Sequence, residues 1–502
     1  MSVLKRARAG AKSFLSNDTD DFSSSPIPRH SSTQTAVLLV VLAVALLGTV
    51  LFFDFLYPLS PARLERPATA LMQNLVFWRR IRQSPPDALN DPESLAVLIV
   101  LGAVIGFAAY ALAIWLAWRK PPTRLLLAIS VGSSALFMLV TLWSLPNFNT
   151  DVYDHILYAR TATEYGENPY IVTPVDFRSD SIYPYASPRY VNVPTNKLPA
   201  WTLLSMGAAA LAGDDPVTNL LVARGSITLF SIGSVILIAL ILLRWNPHYA
   251  VAGVIIYGWN PLTIVMAQGK TEPMMVFFVM LGVLMLIMKH YRWMVVFLAV
   301  ATLVKLIPML FVGVYLLREI KARRWREVVI SGGLFALVIV ALSLPFINTA
   351  DTVQDQLALL QRSGSELPGS VRLVFAAGFV GLLLYMGLYR ARSDRQMLWS
   401  WAFAMLYFGL FLTEITLAWY HLPFIAIASV AIRWPMVLTM LAITWTSFLL
   451  NAWRAASTPA FTLPSPDVPR LALYLALPMV ALLGSLALYA LRTRRAAHPN
   501  NA

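Results

Sequence analysis

Two carboxylates placed three residues apart are the first candidates for chemistry in this chain. Asp151 follows a long apolar run by a few residues, and Asp154 lies one helical turn further on. If the segment is helical, the two carboxylates share a face. A carboxylate can deprotonate a hydroxyl group as a general base. The alternative for Asp151 is structural, because an aspartate at this position would cap a helix over 152–165.

Several basic residues could hold a phosphate group while negative charge develops on it. Lys305 lies within an apolar stretch, where a charge is costly unless it lines a cavity or finds a partner. Its alternative is snorkelling to the membrane interface. Lys270 and Arg160 are predicted to be exposed loop cations, for which a solvated role is the alternative. Arg224 is expected either to face a phosphate or to lie at the interface.

Residues suited to binding a sugar lie in the same parts of the chain. The segment 146–216, the least apolar part of the body, mixes acidic and basic residues with seven tyrosines. Aromatic faces cover the apolar side of a sugar ring, and charged groups bond its hydroxyls. The alternative is an ordinary solvated loop. Glu272 either bonds a sugar or faces water, and an aromatic belt at the membrane interface is the alternative for His421 and its aromatic neighbours.

The composition of the chain places these residues in a membrane protein. Of 502 residues, 58% are hydrophobic and 13% are charged, whereas soluble domains carry about 25% charged residues. The net charge of +14 is explained by basic cytoplasmic loops, so no nucleic-acid partner is predicted. The chain has no cysteine, which excludes disulfides and thiolate metal sites.

The apolar runs predict an all-α, polytopic integral membrane protein. A spanning helix needs about 20 apolar residues, and this criterion gives about 12 to 14 helical membrane segments. The candidate spans are 35–54, 95–118, 124–145, 217–243, 248–266, 274–289, 326–346, 371–389, 396–413, 421–433, 434–452 and 471–491.

Three stretches are predicted to differ from simple spans. The stretch 293–317 is interrupted by Lys305 and Pro308, which favours two short helices that meet at a break. The stretch 198–212 is apolar but short, as in a re-entrant or interfacial helix. An amphipathic helix on the membrane surface near 67–80 would explain the arginines found there.

The distribution of lysine and arginine predicts that both termini are cytoplasmic. The first 35 residues are polar and Ser-rich, unlike a cleavable signal peptide. We therefore expect a disordered cytoplasmic tail over 1–34, a polytopic membrane domain over 35–495 and a second cytoplasmic tail over 496–502. Large outer loops are expected at about 55–94, 146–216, 347–370 and 453–470.

Short motifs follow one another over about 150–425. They are Asp-Val-Tyr at 151–153 with Arg160, Asn-Pro-Tyr at 168–170, Val-Pro-Thr at 193–195, Asn-Pro-Leu at 260–262, Gly-Lys-Thr-Glu at 269–272, Val-Lys-Leu-Ile-Pro at 304–308 and Trp-Tyr-His-Leu-Pro at 419–423. In this order they resemble the GT-C glycosyltransferases of bacteria that use a polyprenyl-phosphate sugar, including the mannosyltransferase-like branch.

The resemblance implies a GT-C-like fold and inverting transfer of a hexose, with mannose favoured. The donor would be a polyprenyl-phosphate sugar, and the acceptor a cell-envelope glycan or glycolipid at the outer face of the cell membrane. Asp151 would be the general base, with Asp154 as the neighbouring alternative. The donor phosphate would be bound by Arg160, Lys270, Lys305, Arg224 and His421, and the sugar or acceptor by Tyr153, Lys197, Glu272, Trp419 and Tyr420.

Two departures from the family pattern leave the ligands unassigned. Lys197-Leu198-Pro199 replaces a Tyr-Pro-Pro-like sequence, and Lys270-Thr271-Glu272 replaces a His-Asn-Asp-like turn. The acceptor, the sugar and any divalent metal therefore stay open, and no metal site or cofactor is assigned.

Two other functions remain as alternatives. A transporter or flippase for lipid-linked sugars would need charged residues at the membrane midplane in several spans, together with repeated halves. Neither is seen in the sequence. A non-catalytic membrane subunit of an envelope-assembly complex is compatible with everything in the sequence.

Overall fold

The chain folds into a bundle of α-helices. The computed structural model describes residues 33–59, 71, 87–144, 150–266, 269–347, 369–412, 418–456, 477–485 and 487–488, and all regular secondary structure in these ranges is helical. Within these described ranges, seven helices are long and apolar enough to cross a membrane, which supports an all-α membrane protein. They are Thr33–Leu56, Pro92–Arg119, Arg124–Thr141, Pro216–Trp245, Trp325–Phe346, Leu373–Arg390 and Trp434–Asn451.

Fifteen α-helices of more than one turn are numbered here within the described ranges. They are α1 (Thr33–Leu51), α2 (Pro92–Arg119), α3 (Arg124–Thr141), α4 (Asp151–Thr163), α5 (Pro199–Ala212), α6 (Pro216–Trp245), α7 (Ala250–Gly258), α8 (Glu272–Ile287), α9 (Tyr291–Thr302), α10 (Met309–Lys321), α11 (Trp325–Ser343), α12 (Gly369–Tyr385), α13 (Asp394–Phe411), α14 (Leu422–Val430) and α15 (Trp434–Ala456).

Local capping explains where several helices begin. The carboxylate of Asp91 accepts a hydrogen bond from Ser94 N at 2.9 Å at the start of α2, and Asp215 caps α6 through Thr218 N at 2.7 Å. Both helices have proline at their first position, where the missing N–H costs nothing. Such caps satisfy amide groups that a helix cannot bond internally.

Several predicted spans form shorter helices, so the described part of the chain holds fewer helices of spanning length than the 12 to 14 membrane segments predicted for the whole chain. The stretch 274–289 corresponds to α8, with 16 residues, and 421–433 corresponds to α14, with 9 residues. The stretch 248–266 is divided into α7 and a π-helical turn at Leu262–Met266. A predominantly apolar segment of this length therefore does not have to form one continuous helix.

The division after α7 is held by Asn260, which is fully buried. Its side-chain amide donates to Tyr110 Oη and to Thr444 Oγ1, each at 2.9 Å. Its carbonyl oxygen accepts from Leu262 N at 2.9 Å. Because Pro261 interrupts the helical hydrogen bonds, this side chain replaces them and ties α7 to α2 and α15.

The predicted break in 293–317 is confirmed. Helix α9 ends at Thr302, a turn follows that contains Lys305, and α10 begins at Met309. The carbonyl of Leu303 accepts a hydrogen bond from Ala200 N at 3.1 Å. This contact places the start of α5 beside the turn and brings the loop 150–198 close to Lys305.

A basic cluster lies at the opposite end of α8 from its first residue, Glu272. The carboxylate of Asp394 bonds Lys289 Nζ at 2.5 Å and an Arg318 guanidinium nitrogen at 2.7 Å. Tyr291 Oη donates to the same carboxylate at 3.1 Å. Asp394 thus joins the basic stretches 289–292, 318–326 and 390–395, which the distribution of lysine and arginine predicts to be cytoplasmic.

Some predictions lie wholly or partly outside the described residues. These are the tail before residue 33, the surface helix near 67–80, most of the outer loops 55–94, 347–370 and 453–470, part of the span 471–491 and the tail 496–502. Where the boundaries are described, α1 begins at Thr33 and α15 extends to Ala456.

Candidate functional site

Charged residues from distant parts of the chain meet at one place, called here the lysine cluster. It consists of Asp151, Lys197, Lys270, Glu272 and Lys305, and the aromatic rings of Trp419 and Tyr420 stack on two of its lysines. The first residue of α4, the turn before α8, the break between α9 and α10 and the turn before α14 supply most of these groups. Each supporting element is a helix end or a helix break.

Asp151 is paired with a lysine that lies 119 residues away. Lys270 Nζ donates to Asp151 Oδ2 at 2.6 Å and lies 3.8 Å from the centre of the Trp419 ring. The lysine side chain is 5% exposed and the aspartate side chain is 31% exposed. The prediction that Lys270 is an exposed loop cation is therefore wrong, because a carboxylate and an indole ring enclose its ammonium group.

The structural alternative for Asp151 is also excluded. Thr150 occupies the capping position of α4, and Asp151 is the first residue inside the helix. Neither side chain caps the helix through a hydrogen bond. A negative charge in the first helical turn is still favourable because it faces the positive end of the helix dipole. The carboxylate thus remains directed to Lys270 rather than to the backbone.

Lys305 forms the second ion pair of the cluster. Its ammonium group bonds Glu272 Oε1, and it lies 3.7 Å from the centre of the Tyr420 ring. Glu272 is 2% exposed, so the alternative in which it faces water is wrong. Snorkelling does not describe Lys305 either, because its charge is satisfied within the protein by a carboxylate and an aromatic face.

Lys197 is the third cation of the cluster. It is half-buried, and no carboxylate lies within 4.0 Å of its ammonium group in the described part of the chain. Burial, together with the positive charges of Lys305 and Lys270, lowers its pKa, although Asp151 opposes this shift. The cluster therefore has three lysines for two ion-paired carboxylates.

The two acids of α4 differ in accessibility and in acidity. Burial opposes ionisation of Asp151, but the positive charges of Lys270 and Lys197 outweigh it and lower its pKa. Asp154 is 5% exposed, and burial raises its pKa to about 7 despite a hydrogen bond from Ser187 N at 2.8 Å. Asp151 is thus the ionised, accessible carboxylate, and Asp154 is the buried one.

Arg160 is placed away from the lysine cluster. The sequence predicted an exposed cation, but the residue is 3% exposed. Its guanidinium group bonds Asp180 Oδ2 at 2.8 Å, Asp214 Oδ1 at 3.1 Å and the carbonyl of Gly213 at 2.8 Å. Asp180 lies in the middle of the loop between α4 and α5, and Gly213 and Asp214 lie in the turn between α5 and α6, so Arg160 joins that loop to that turn.

Arg224 and Tyr153 also lie inside the fold. Arg224 is 1% exposed and donates to the carbonyls of Ser144 and Thr141, each at 2.5 Å. It therefore bonds the carboxyl end of α3, rather than standing at an interface. Tyr153 is fully buried and packs against Tyr185 with ring centres 5.6 Å apart, so its face is not available to a sugar.

The aromatic segment before α14 divides into exposed and buried parts. Trp419 and Tyr420 are half-buried and contact the two lysines. His421 is 1% exposed and lies against Gly409, where an added Cβ would come within 3.0 Å of its Nδ1. His421 thus packs α14 against α13, and the contacts of Lys270 and Lys305 are with its two neighbours.

Sequence reasoning overlooked three buried polar residues next to this site. His155, Trp201 and Asn219 line a cavity between α4, α5 and α6. His155 follows Asp151 by four residues, so both side chains lie on one face of α4. The available signal in the sequence was His155, four residues after Asp151. Trp201 and Asn219 could not be linked to it from the sequence, because they lie on two other helices.

No described set of three or more His, Asp or Glu side chains is arranged to hold a metal ion. The arrangement of the lysine cluster suits an anion, because three ammonium groups point at one region and only two carboxylates neutralise them. Comparison of the chain with protein-family models, with curated proteins and with solved structures finds no match in any of the three.

Proposed function

We propose that this protein is a membrane glycosyltransferase with a GT-C-like fold that transfers a hexose from a polyprenyl-phosphate sugar to a cell-envelope acceptor. The observation that carries the proposal is the lysine cluster. It contains an accessible carboxylate for the acceptor hydroxyl, three ammonium groups for a phosphate, and two aromatic rings for a sugar. The order of sequence motifs that resembles the GT-C glycosyltransferases supports the same proposal.

In the proposed reaction, Asp151 accepts the proton of the acceptor hydroxyl. The hydroxyl oxygen attacks the anomeric carbon from the side opposite the phosphate, which inverts the configuration. The bond between the anomeric carbon and the phosphate oxygen breaks, and polyprenyl phosphate leaves. Lys197, Lys270 and Lys305 stabilise the charge that develops on this phosphate. Mannose is the favoured hexose from the sequence resemblance.

The ion pairs of the lysine cluster are compatible with a site that binds an anionic substrate. Without a donor, Asp151 and Glu272 neutralise Lys270 and Lys305. When a phosphate binds, it takes over the lysines as the stronger multidentate acceptor. The pairing between Lys270 and Asp151 then weakens, which frees the carboxylate to act as a base. Donor binding thereby activates the acceptor side of the reaction.

We propose that the cluster faces the outside of the cell membrane and that both termini are cytoplasmic, with additional short helices embedded in the bilayer. The distribution of basic loops supports this orientation. A flippase remains the second candidate, because a site with lysines and aromatics would also bind a lipid-linked sugar without cleaving it.

The deciding experiment is transfer by the purified protein in proteoliposomes. With polyprenyl-phosphate mannose as donor and envelope glycolipids as acceptors, we expect transfer that Asp151→Asn reduces at least about 100-fold. Donor binding should persist or tighten in this variant, because Lys270 loses its competing carboxylate. A melting curve for each variant shows that the protein is folded.

The matched control is Asp154→Asn, which changes the same functional group one turn away. It should retain much more transfer than Asp151→Asn, because Asp154 is buried. Transfer at the wild-type rate in Asp151→Asn would remove Asp151 as the base. Movement of the intact lipid-linked sugar across the membrane, without any transfer, would favour the flippase.

A further inference from the structure

The cavity between α4, α5 and α6 is lined mainly by apolar residues, yet it contains buried polar atoms without partners. Its polar lining residues are His155, Trp201, Ser205, Asn219 and Ser226. His155 and Trp201 are each 4% exposed, and Asn219 is 2% exposed. Both ring nitrogens of His155, the indole Nε1 of Trp201 and the side-chain Oδ1 of Asn219 make no hydrogen bond.

Such atoms are rarely left without partners in a folded protein, because each loses its bonds to water on burial. Here three of these residues share one cavity. Their rings and amide are already fixed by the fold: the His155 and Trp201 rings pack edge to face at 5.1 Å, and the Asn219 amide donates to Gly213 O at 2.6 Å. The cavity has a volume of about 20 Å³, which leaves room for one group of the size of a hydroxyl or a water molecule.

The lining chemistry selects the kind of group that fits. No lysine, arginine or carboxylate lines the cavity, so it offers nothing to neutralise a charged group. The indole N–H is a donor, the amide oxygen is an acceptor, and a neutral imidazole provides one of each. A hydroxyl group both donates and accepts. An isoprenoid or acyl chain would leave every one of these polar atoms unsatisfied.

The imidazole of His155 is expected to be neutral. Burial and the positive charges of Lys197 and Lys270 lower its pKa well below the usual value, against a smaller opposing effect of Asp151. The backbone of Gly269 also approaches the ring, without a hydrogen bond of normal geometry. In a neutral ring, one nitrogen can accept a hydrogen bond from a hydroxyl group.

We propose that this cavity binds an uncharged hydroxyl group of a sugar, with Trp201 Nε1 donating to the hydroxyl oxygen and with Asn219 Oδ1 or a ring nitrogen of His155 accepting a hydrogen bond from the hydroxyl. The ring of the same sugar would then lie beside Asp151, one helical turn from His155. The identification of the ligand as a sugar rests on the proposed function, whereas the hydroxyl chemistry rests on the cavity.

The test is direct binding of methyl α-D-mannopyranoside to the full-length protein in lipid nanodiscs free of glycoside detergent. Saturation-transfer NMR titrations give the Kd. We expect binding by the wild-type protein and a Kd about fivefold weaker in Trp201→Phe, which deletes the N–H donor and keeps most of the ring. His155→Phe should weaken binding to a similar extent.

Trp401→Phe is the matched control. Its indole Nε1 is also buried and makes no hydrogen bond, but the residue lies on α13 and does not line the cavity. We expect its Kd to equal that of the wild-type protein. A wild-type Kd in both Trp201→Phe and His155→Phe would overturn the proposal. So would an absence of wild-type binding to the mannoside, glucoside and galactoside at about 100 mM, which would leave water as the occupant.

Measurements on the lysine cluster separate this inference from the proposed function. Binding of polyprenyl phosphate and hexose transfer are assayed on the same preparations. If both are absent while the mannoside binds and Trp201→Phe weakens it, the cavity is a sugar site but the transferase proposal fails. If transfer occurs and the cavity variants bind the mannoside as the wild-type protein does, only the cavity proposal fails.

Discussion

Asp151 and Asp154 lie one helical turn apart on α4, yet their surroundings shift their pKa values in opposite directions. The ammonium group of Lys270 holds one carboxylate in its ionised form, whereas burial favours the protonated form of the other. Pairs of acids that differ in this way commonly have separate roles at a site. Here the accessible carboxylate is the proposed base, and the buried one receives the Ser187 N–H.

The raised pKa of Asp154 predicts how stability changes with pH. Its pKa is about 7 in the folded protein and 3.8 without the fold, so the folded state binds more protons between these values. The free energy of unfolding therefore falls as pH rises from about 4 to about 7. We expect the Tm of the wild-type protein to be lower at pH 8 than at pH 5. Asp154→Asn should reduce this difference, and an unchanged difference would contradict the buried state of Asp154.

The ion pair between Lys305 and Glu272 makes a second prediction possible. From the sequence alone, Lys305→Met would be expected to fold well, because it removes a charge from an apolar stretch. The structure reverses this expectation, since the substitution leaves Glu272 buried without a partner. We expect Lys305→Met to lose about 3 kcal/mol of stability and Lys305→Met/Glu272→Met to recover most of it.

Donor binding separates the stabilising role of this pair from its proposed function. Both the single and the double variant lack the Lys305 ammonium group, so both should bind polyprenyl phosphate about tenfold more weakly than the wild-type protein. The two variants thus differ in Tm, and the single variant, which keeps the Glu272 carboxylate at the site, should bind no more tightly than the double variant. Wild-type affinity in the double variant would mean that Lys305 serves only to neutralise Glu272.

The sequence identified the important residue types better than their surroundings. Asp151, Lys270, Lys305 and Glu272 were all candidates, and they do meet. Arg160 was also a candidate, but its partners Asp180 and Asp214 could not be found by spacing, because they come from a loop without periodic structure. Burial and pairing depend on contacts between distant segments, and one sequence contains no direct record of them.

At the scale of elements, the central helix α7 depends on close packing. A Cβ added to Gly253 would lie 2.5 Å from the backbone carbonyl of Ser429 in α14, so the two helices approach each other where no side chain fits. We expect Gly253→Ala to destabilise the protein by about 3 kcal/mol, because backbone atoms cannot move aside as a flexible side chain can.

The control for this substitution is Gly333→Ala in α11, where an added Cβ would meet nothing within 4 Å. Alanine favours the helix over glycine by about 0.5–1 kcal/mol, so this variant should melt at the same or a higher temperature. Thermal unfolding of both variants in the same lipid provides the measurement. Helix propensity alone predicts no loss at either position, so equal losses of Tm would mean that the contact with Ser429 is not the cause.

Helix boundaries were predictable where the sequence contains local signals. Asp215 and Pro216 begin α6, and Lys305 and Pro308 mark the break after α9. Pro423 at the start of α14 and Arg433 and Pro435 after its end are local signals of the same kind. They agree with the short predicted segment 421–433, although the helix ends earlier, at Val430. Apolar composition reports burial or membrane contact, and it does not distinguish a spanning helix from a short buried one.

Across the whole molecule, α8 separates two clusters of charged residues. Glu272 at its first residue belongs to the lysine cluster, and Lys289 just after its end joins Asp394 in the basic cluster. A helix of 16 residues is about 24 Å long, which is shorter than the hydrocarbon layer of about 30 Å. We propose that the two clusters lie towards opposite faces of one membrane, with the residues that flank α8 making up the remaining distance.

This separation predicts which residues are accessible from each side. The chain has no cysteine, so single cysteines can be introduced without a background. Asn192 and Arg178 are exposed in the loop that contains α4, whereas Lys120 and Arg326 are exposed in the basic loops. In intact cells, an impermeant maleimide should label Asn192→Cys and Arg178→Cys, and it should label Lys120→Cys and Arg326→Cys only after the membrane is opened.

The opposite pattern would place the lysine cluster in the cytoplasm. The basic loops would then face outward, against the usual orientation of membrane proteins. Labelling of all four positions in intact cells would show that the two clusters are not separated by the membrane, and the arrangement proposed for α8 would be wrong.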